Sequence, residues 1–312
     1  MLISIVIPCY YSEKTIRKVV ELTKTELEKA GYETEFILVN DGSTDGTFDE
    51  IKSLCSEYQN IVGINCAKNL GQHSAIMAGL ARAIGELILV MDDDMQTHPS
   101  QSLKLVNSII NSDYDVVYAS WKSHKESFIR RMGSNFTVWS MRVLTNRPKN
   151  VYPSNFFIIR SFVRDEIVRY TGPYVYIQGL LFRSTVNMGN VEVDHFEREQ
   201  GSSGYTLKTL IRLWLNVLGF SVKPLRVATV VGAIMGLFGL IAAFVLLIHR
   251  LIDPSIQAGW SSIMITILLC SGLIILFLGI IGEYLGRLFM TANNSPQFVI
   301  KEVIDNRKEV RS

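Results

Sequence analysis

The chain of 312 residues has few features of secreted, zinc-binding or nucleic-acid-binding proteins. Its four cysteines are scattered, with no CxxC pair and no histidine at ligand spacing, which argues against disulfides and a zinc site. The net charge of +2 is too balanced to indicate a nucleic-acid partner. The opening stretch MLISIVIPCYYSE lacks the basic segment and the cleavage pattern of a signal peptide. We therefore expect residues 1–220 to stay in the cytosol.

Two long uncharged stretches stand apart from this soluble-looking region. Residues 227–248 and 261–282 each contain 22 residues without a charge. As helices each would span roughly 33 Å, close to the hydrocarbon core of a bilayer at about 30 Å. The sequence therefore predicts two transmembrane helices.

Residues 1–120 alternate short apolar runs with amphipathic ones. The pattern predicts strands at 3–7, 35–39, 61–65, 87–91 and 116–119. It predicts helices at 13–30, 44–57, 74–84 and from 99 to about 111. Such alternation is typical of an α/β fold, with a mainly parallel sheet and helices on both faces.

Polar clusters follow three of the predicted strands. They are PCYYSE at 8–13, NDGSTDGT at 40–47 and DDDMQ at 92–96. Ligands of such sheets bind outside the carboxyl ends of the strands. Turn-forming propensity alone explains the second cluster about as well, but it does not explain three aspartates followed by a glutamine.

Three adjacent carboxylates repel one another, so something must offset their charge. Mg²⁺ is commonly held by one or two carboxylates together with substrate phosphates. Asp92 and Asp94 are two residues apart and face the same way in an extended segment, and Gln96 can add an amide oxygen. The cluster therefore predicts a Mg²⁺ or Mn²⁺ site for a nucleotide diphosphate. The alternative is a solvated acidic loop that caps a helix.

Four ordered motifs carry a family resemblance: ISIVIPCYYSE, VNDGSTDGT, KNLGQHSAIMAGLARAIGE and DDDMQ. They resemble the nucleotide-sugar domain of family-2 glycosyltransferases, which implies a GT-A-like (Rossmann-like) fold. With its two apolar segments, the whole chain is similar to bacterial polyprenyl-phosphate glycosyltransferases related to dolichol-phosphate mannose synthase. The resemblance implies inverting transfer of one sugar from a nucleotide-diphosphate sugar, with a UDP-sugar favoured, to undecaprenyl phosphate. It also implies a homo-oligomer, by analogy a tetramer.

The resemblance assigns roles to individual residues. Those bordering the nucleotide are Pro8, Tyr10, Glu13 and Asp41, the last of which is expected to bond the base. The metal motif D-x-D-x-Q corresponds to Asp92, Asp94 and Gln96, while Asp93 is assigned to the nucleotide sugar and is expected to point away from its neighbours.

The stretch REQGSSGY corresponds to a motif near the phosphates, in which Arg198, Gly201 and Ser203 match. The family's lysine is replaced by Gly204, and Lys208 is a candidate substitute.

Asn155 marks the main departure from the family. Relatives carry an aspartate there as a proposed catalytic base, whereas this chain reads YPSNFFIIR. An amide cannot accept the proton. However, the second pKa of a phosphate monoester is about 6, so the acceptor is already largely dianionic at neutral pH. Asn155 could then position groups by hydrogen bonding; the alternative is a slow or degenerate enzyme.

Residues 122–150 contain seven basic side chains against one acidic one, interleaved with apolar residues. This mixture suits a membrane interface, where Arg130 and Arg131 could meet the acceptor phosphate; a solvated basic face is the alternative. Residues 205–226 are predicted as an interfacial amphipathic helix, or as a helix packed on the catalytic domain.

The predicted organisation is a catalytic domain at 1–204, the interfacial helix, spans at 227–248 and 261–282, an external loop at 249–260, and a tail at 283–312. The distribution of basic residues places both termini in the cytosol of a bacterium, with the protein in the inner membrane. A processive polysaccharide synthase would need more spans and a Q-x-x-R-W motif, for which only IRLWL is present. A non-enzymatic scaffold or flippase partner on a degenerate transferase fold is the rival from another class.

Overall fold

The computed structural model describes residues 1–95, 99–121, 147–148, 150–194, 223–252 and 259–307. The chain divides into two compact units, one comprising Met1–Ile211 with Asn294–Ser312 and the other comprising Arg212–Asn293.

Within its described residues, the first unit contains eight strands and six α-helices. The strands are β1 (Leu2–Cys9), β2 (Glu33–Asn40), β3 (Ile61–Cys66), β4 (Leu87–Val90), β5 (Val116–Ser120), β6 (Phe157–Arg160), β7 (Met188–Glu192) and β8 (Ile300–Asp305). The helices are α1 (Ile16–Lys29), α2 (Thr47–Glu57), α3 (Gln72–Leu80), α4 (Ser102–Ile110), α5 (Ser161–Ile167) and α6 (Ile177–Ser184), and a short 3₁₀ helix, Pro99–Gln101, precedes α4.

The strands form one sheet in the order β7-β5-β6-β4-β1-β2-β3-β8. Its centre is parallel, because β1 pairs with both β2 and β4, and β2 pairs with β3. β6 runs antiparallel between β4 and β5, and β8 runs antiparallel to β3. The predicted α/β fold with a mainly parallel sheet is confirmed.

Helices cover both faces, so the central strands are apolar on both sides. Side chains such as Ile5 join the core formed with α1, α2 and α4. On the other face α3 packs very closely: a Cβ on Gly79 would lie 2.4 Å from Cγ1 of Val6. This close approach explains the glycine within a helix, where it otherwise costs about 1 kcal/mol relative to alanine.

The C-terminal segment, predicted as a tail, contains a strand. Its residues return to the first unit as β8, which pairs along β3 from Val62 opposite Asp305 to Cys66 opposite Ile300. β8 alternates only partly and carries charged residues, as edge strands often do. Its local pattern therefore gave no strand signal.

The second unit contains two long helices in its described part, α7 (Lys223–Ile252) and α8 (Trp260–Ala292). Both expose large apolar side chains, including Phe238 and Ile275. Among the described residues, the segment Cys270–Ala292 of α8 is long and apolar enough to cross a membrane. The two-span arrangement therefore stays a prediction.

Candidate functional site

A cavity of about 300 Å³ lies at the carboxyl edge of the parallel strands. This volume is at the lower end of the range for small-molecule sites. The structure brings seven of the predicted site residues to its walls: Pro8, Tyr10, Asp41, Asp92, Asp93, Asp94 and Asn155. The remaining lining residues are Cys9, Asn69, Gly71 and Gln72. The predicted residues Gln96, Arg130, Arg131, Arg198 and Ser203 lie outside the described residues.

Asp41 connects the second polar cluster to the segment before α3. Its buried carboxylate accepts hydrogen bonds from the backbone N–H groups of Leu70, at 2.9 Å, and Gly71, at 3.0 Å. Burial raises the pKa of Asp41, while the two N–H donors oppose that shift. The predicted contact with the base would therefore have to use the carboxylate's remaining acceptor capacity.

Gly42 explains why the second cluster contains glycine beside Asp41. Its φ is +67°, and a Cβ there would lie 2.5 Å from the backbone nitrogen of Asn69. Only glycine fits this approach without moving the backbone. The cluster is thus more than a turn, since it packs directly on the segment that lines the cavity.

Asp93 is partly buried, and its side chain bonds to the first cluster. Its Oδ2 accepts the backbone N–H of Tyr10 at 3.2 Å and the hydroxyl of Ser12. Burial raises the pKa of Asp93, and these hydrogen bonds act against the shift. Asp92 instead accepts from Gln72. The two neighbouring carboxylates thus have different partners, as the alternation of an extended segment favours.

Glu13 borders the site without lining the cavity. Its Oε2 accepts the backbone N–H of Gly46 at 3.2 Å, which joins the first cluster to the start of α2. Tyr10 is half-exposed, and its ring meets that of Tyr11 edge-on at 4.6 Å. An exposed aromatic ring at the cavity mouth can pack on a flat ligand such as a base.

Gln72 is a cavity residue that sequence reasoning missed. It is the first residue of α3 and contacts both Asp92 and Asn155. Its place in the KNLGQHSA motif, directly after a glycine at φ +91°, is the signal that could have marked it.

His73, the next residue, is held in its neutral form at neutral pH. Burial lowers its pKa to about 4. Its ring lies edge-on to that of Tyr176 at 5.5 Å, and Nδ1 has no hydrogen-bond partner in the described part of the chain. It is a neutral packing residue beside the cavity.

The cavity has oxygen ligands that suit a hard divalent cation, but they do not form a complete coordination sphere. No group of three or more His, Cys, Asp or Glu side chains within the described ranges is placed to hold a metal ion. Asp92 and Asp94 supply two carboxylates to one cavity. Mg²⁺ sites often consist of one or two carboxylates with phosphate oxygens and water, so these residues fit such an ion.

The sheet and its carboxylate-lined edge fit the class of glycosyltransferases. Residues 4–164, just over half of the chain, match the sequence model of Glycosyl transferase family 2. The chain belongs to this family. Residues 223–288 match the model of the GtrB C-terminal hairpin.

Several relatives are similar over nearly the whole chain. The undecaprenyl-phosphate 4-deoxy-4-formamido-L-arabinose transferase of Proteus mirabilis is 29% identical over 310 residues, covering 98% of this chain and 95% of that protein. The uncharacterized glycosyltransferase YkcC of Bacillus subtilis is 29% identical over 312 residues, covering 99% and 96%. The predicted polyprenyl-phosphate group within family 2, and with it the prediction of an enzyme, is confirmed.

Among solved structures, glucosyl-3-phosphoglycerate synthase from Mycobacterium tuberculosis, in complex with Mn²⁺, UDP and phosphoglyceric acid, is similar with a TM-score of 0.51. It is 19% identical, and the match covers 70% of this chain and 78% of that one. At this identity the likeness shows a shared fold.

Proposed function

We propose that this protein is a membrane-anchored, metal-dependent transferase that moves one sugar from a nucleotide-diphosphate sugar to a polyprenyl phosphate, with inversion. The observation that carries the proposal is the cavity, where Asp92 and Asp94 meet residues from two other strand ends. The end-to-end similarity to a transferase named for undecaprenyl phosphate supports the acceptor.

The donor fits the chemistry of the cavity walls. Tyr10 and Asp41 offer a ring face and an acceptor, which suit a base, while the aspartates suit a diphosphate through a cation. Asp92 and Asp94 would hold Mg²⁺ or Mn²⁺, whose charge stabilises the diphosphate as it leaves. The mycobacterial enzyme with Mn²⁺ and UDP shares only the fold, so the metal proposal rests on the carboxylates themselves. A UDP-sugar is the favoured donor.

The acceptor needs little help from a base. One oxygen of the lipid phosphate dianion attacks the anomeric carbon, and the bond from that carbon to the diphosphate oxygen breaks with its electron pair. Asn155 lines the cavity as an amide and takes no proton. Arg130, Arg131, Arg198 and Ser203 remain the predicted phosphate contacts.

The sheet itself supports an even number of membrane crossings. β8 is hydrogen-bonded along β3, so residues 300–305 lie on the same side of any membrane as residues 61–66. If α8 crosses, a second segment between β7 and α8 must cross as well. α7, with its exposed apolar side chains, is that segment in our proposal, with the catalytic domain in the cytosol.

Mass spectrometry of the lipid product tests the proposal directly. The full-length protein in detergent is incubated with undecaprenyl phosphate, Mn²⁺ or Mg²⁺, and a panel of UDP-, GDP- and dTDP-sugars. We expect one polyprenyl-phosphate sugar, which is lost with EDTA and in Asp94→Ala. Asp49→Ala, which removes an exposed carboxylate of α2, is the matched control and should retain activity. Near-normal transfer by Asp94→Ala at saturating donor would rule out the metal role.

A further inference from the structure

Three polar side chains in the cavity form one hydrogen-bonded chain. The Nδ2 group of Asn155 donates to Oε1 of Gln72 at 3.0 Å, and Nε2 of Gln72 donates to Oδ1 of Asp92. The sheet sets up this arrangement, because β4 and β6 pair antiparallel with Val90 opposite Phe157. Asp92 and Asn155 each lie two residues beyond that last pair, and both line the cavity.

The chemistry of the side chains determines which group donates in each of these two hydrogen bonds. An ionised carboxylate can only accept, so Gln72 must turn its NH₂ group toward Asp92. Its carbonyl oxygen then faces residue 155, which must supply a donor. Asparagine supplies one, whereas an ionised aspartate does not.

We propose that Gln72 is a positioning residue for the Asp92 carboxylate, and that Asn155 serves to hold the amide of Gln72 rather than standing in for a lost base. The inference rests on the proposed function, in which Asp92 holds the cation. Partners that orient metal-binding carboxylates commonly change metal affinity or activity by about 10- to 100-fold when removed. An ionised aspartate at 155 would place a second acceptor beside the carbonyl oxygen of Gln72. The NH₂ group of Gln72 would then turn toward residue 155 and lose its bond to Asp92.

Cation binding tests Gln72 without requiring turnover. Metal-free full-length protein in detergent, with UDP present, is titrated with Mn²⁺ while free Mn²⁺ is followed by electron paramagnetic resonance. Gln72→Met keeps the length of the side chain and removes both polar groups. We expect it to weaken Mn²⁺ binding about tenfold with an unchanged thermal unfolding midpoint. Unchanged Mn²⁺ affinity in a folded Gln72→Met protein would overturn the proposal.

A double-variant comparison tests the link to Asn155 and provides a second route if one variant folds poorly. Asn155→Leu should weaken Mn²⁺ binding, and the Gln72→Met/Asn155→Leu double variant should bind no more weakly than Gln72→Met alone. Gln101→Met, at a buried glutamine that bonds Ser100 and Asp194 outside the cavity, should combine additively with Asn155→Leu. Additive effects of the Gln72 and Asn155 changes would contradict the proposal that Asn155 acts on Asp92 through Gln72.

Measurements of kcat distinguish a positioning role of Asn155 from the loss of a catalytic base at that position. If Asn155 and Gln72 together position Asp92, Asn155→Asp lowers kcat about tenfold in the otherwise natural protein. In the Gln72→Met background it lowers kcat little further. A rate gain from Asn155→Asp in both backgrounds would overturn the role given to Asn155. If no panel donor is turned over, the transfer proposal fails, and the Mn²⁺ titrations still decide the role of Gln72.

Discussion

Nη1 of Arg307 donates a hydrogen bond to Oε2 of Glu35 at 2.6 Å, across 272 residues of sequence. The Glu35 carboxylate is buried and also accepts the backbone N–H of Ile84 at 2.7 Å. Arg307 further pairs with Asp305 at 2.6 Å and lowers the pKa of that carboxyl. The end of β8 is thus tied to the centre of the first unit by an ion pair that is largely hidden from water.

Arg307→Leu should therefore lower the free energy of unfolding by about 3 kcal/mol, because it leaves a buried carboxylate without its cation. Urea unfolding of the full-length protein in detergent measures the change. Lys52→Met is the matched control, since Lys52 pairs with Glu302 of the same strand at 3.8 Å with both side chains exposed, and it should cost under about 1 kcal/mol. Adding Glu35→Gln to Arg307→Leu should recover part of the loss; no recovery would mean that packing, not charge, explains the effect.

Gly42 and Gly31 offer a matched pair of glycines. Both have positive φ, +67° and +83°, but only at Gly42 does a Cβ meet backbone, whereas nothing lies within 4 Å of one on Gly31. Gly31→Ala should cost about 1 kcal/mol of unfolding free energy through strain alone. Gly42→Ala should cost more and should weaken UDP binding, because it pushes on the segment whose N–H groups hold Asp41. Calorimetric UDP titrations of both variants check this, and equal UDP affinities would refute it.

His73 should make stability depend on pH on the acidic side. Its pKa falls from 6.5 to about 4 on folding, because burial disfavours the imidazolium. Between these values the unfolded chain binds the proton and the folded chain does not, so stability rises with pH across this window and is fully present above it. The loss on going from pH 7 to pH 4 amounts to about 3 kcal/mol.

His73→Gln removes this titration while keeping a polar side chain of similar size. Unfolding free energies of the variant and the natural protein, measured from pH 4 to 7.5, should differ in slope below pH 6.5 and run parallel above it. Parallel curves throughout would show that His73 titrates normally in the folded protein.

Membrane topology gives a further prediction. A reporter fused after residue 312 should read as cytosolic, and one inserted near residue 257 as external, if α7 and α8 both cross as proposed. The pairing of β3 with β8 excludes a single crossing between these strands. Cytosolic signals from both positions would mean that neither α7 nor α8 spans the bilayer.

The sequence by itself determined the alternation of strands and helices, because doubly covered parallel strands are short, nearly continuous apolar runs. It also determined that polar clusters follow β1, β2 and β4, and the order of motifs identified the family. Element boundaries were less secure: α3 was predicted at 74–84 but comprises Gln72–Leu80. There the chain leaves the helix at a turn that places Ile84 N–H on Glu35, a contact absent from any local pattern.

Only the tertiary structure decided the pairings between distant segments. Residues 300–305 form a strand because they pair with the edge of β3. Half of these residues are charged, so their own sequence does not predict that pairing. Gln72 becomes a site residue because the fold brings the start of α3 next to the segment before β6, where Nδ2 of Asn155 lies 3.0 Å from Oε1 of Gln72. Such contacts depend on which elements become neighbours in space, and hydrophobic periodicity reports only which face of each element is buried.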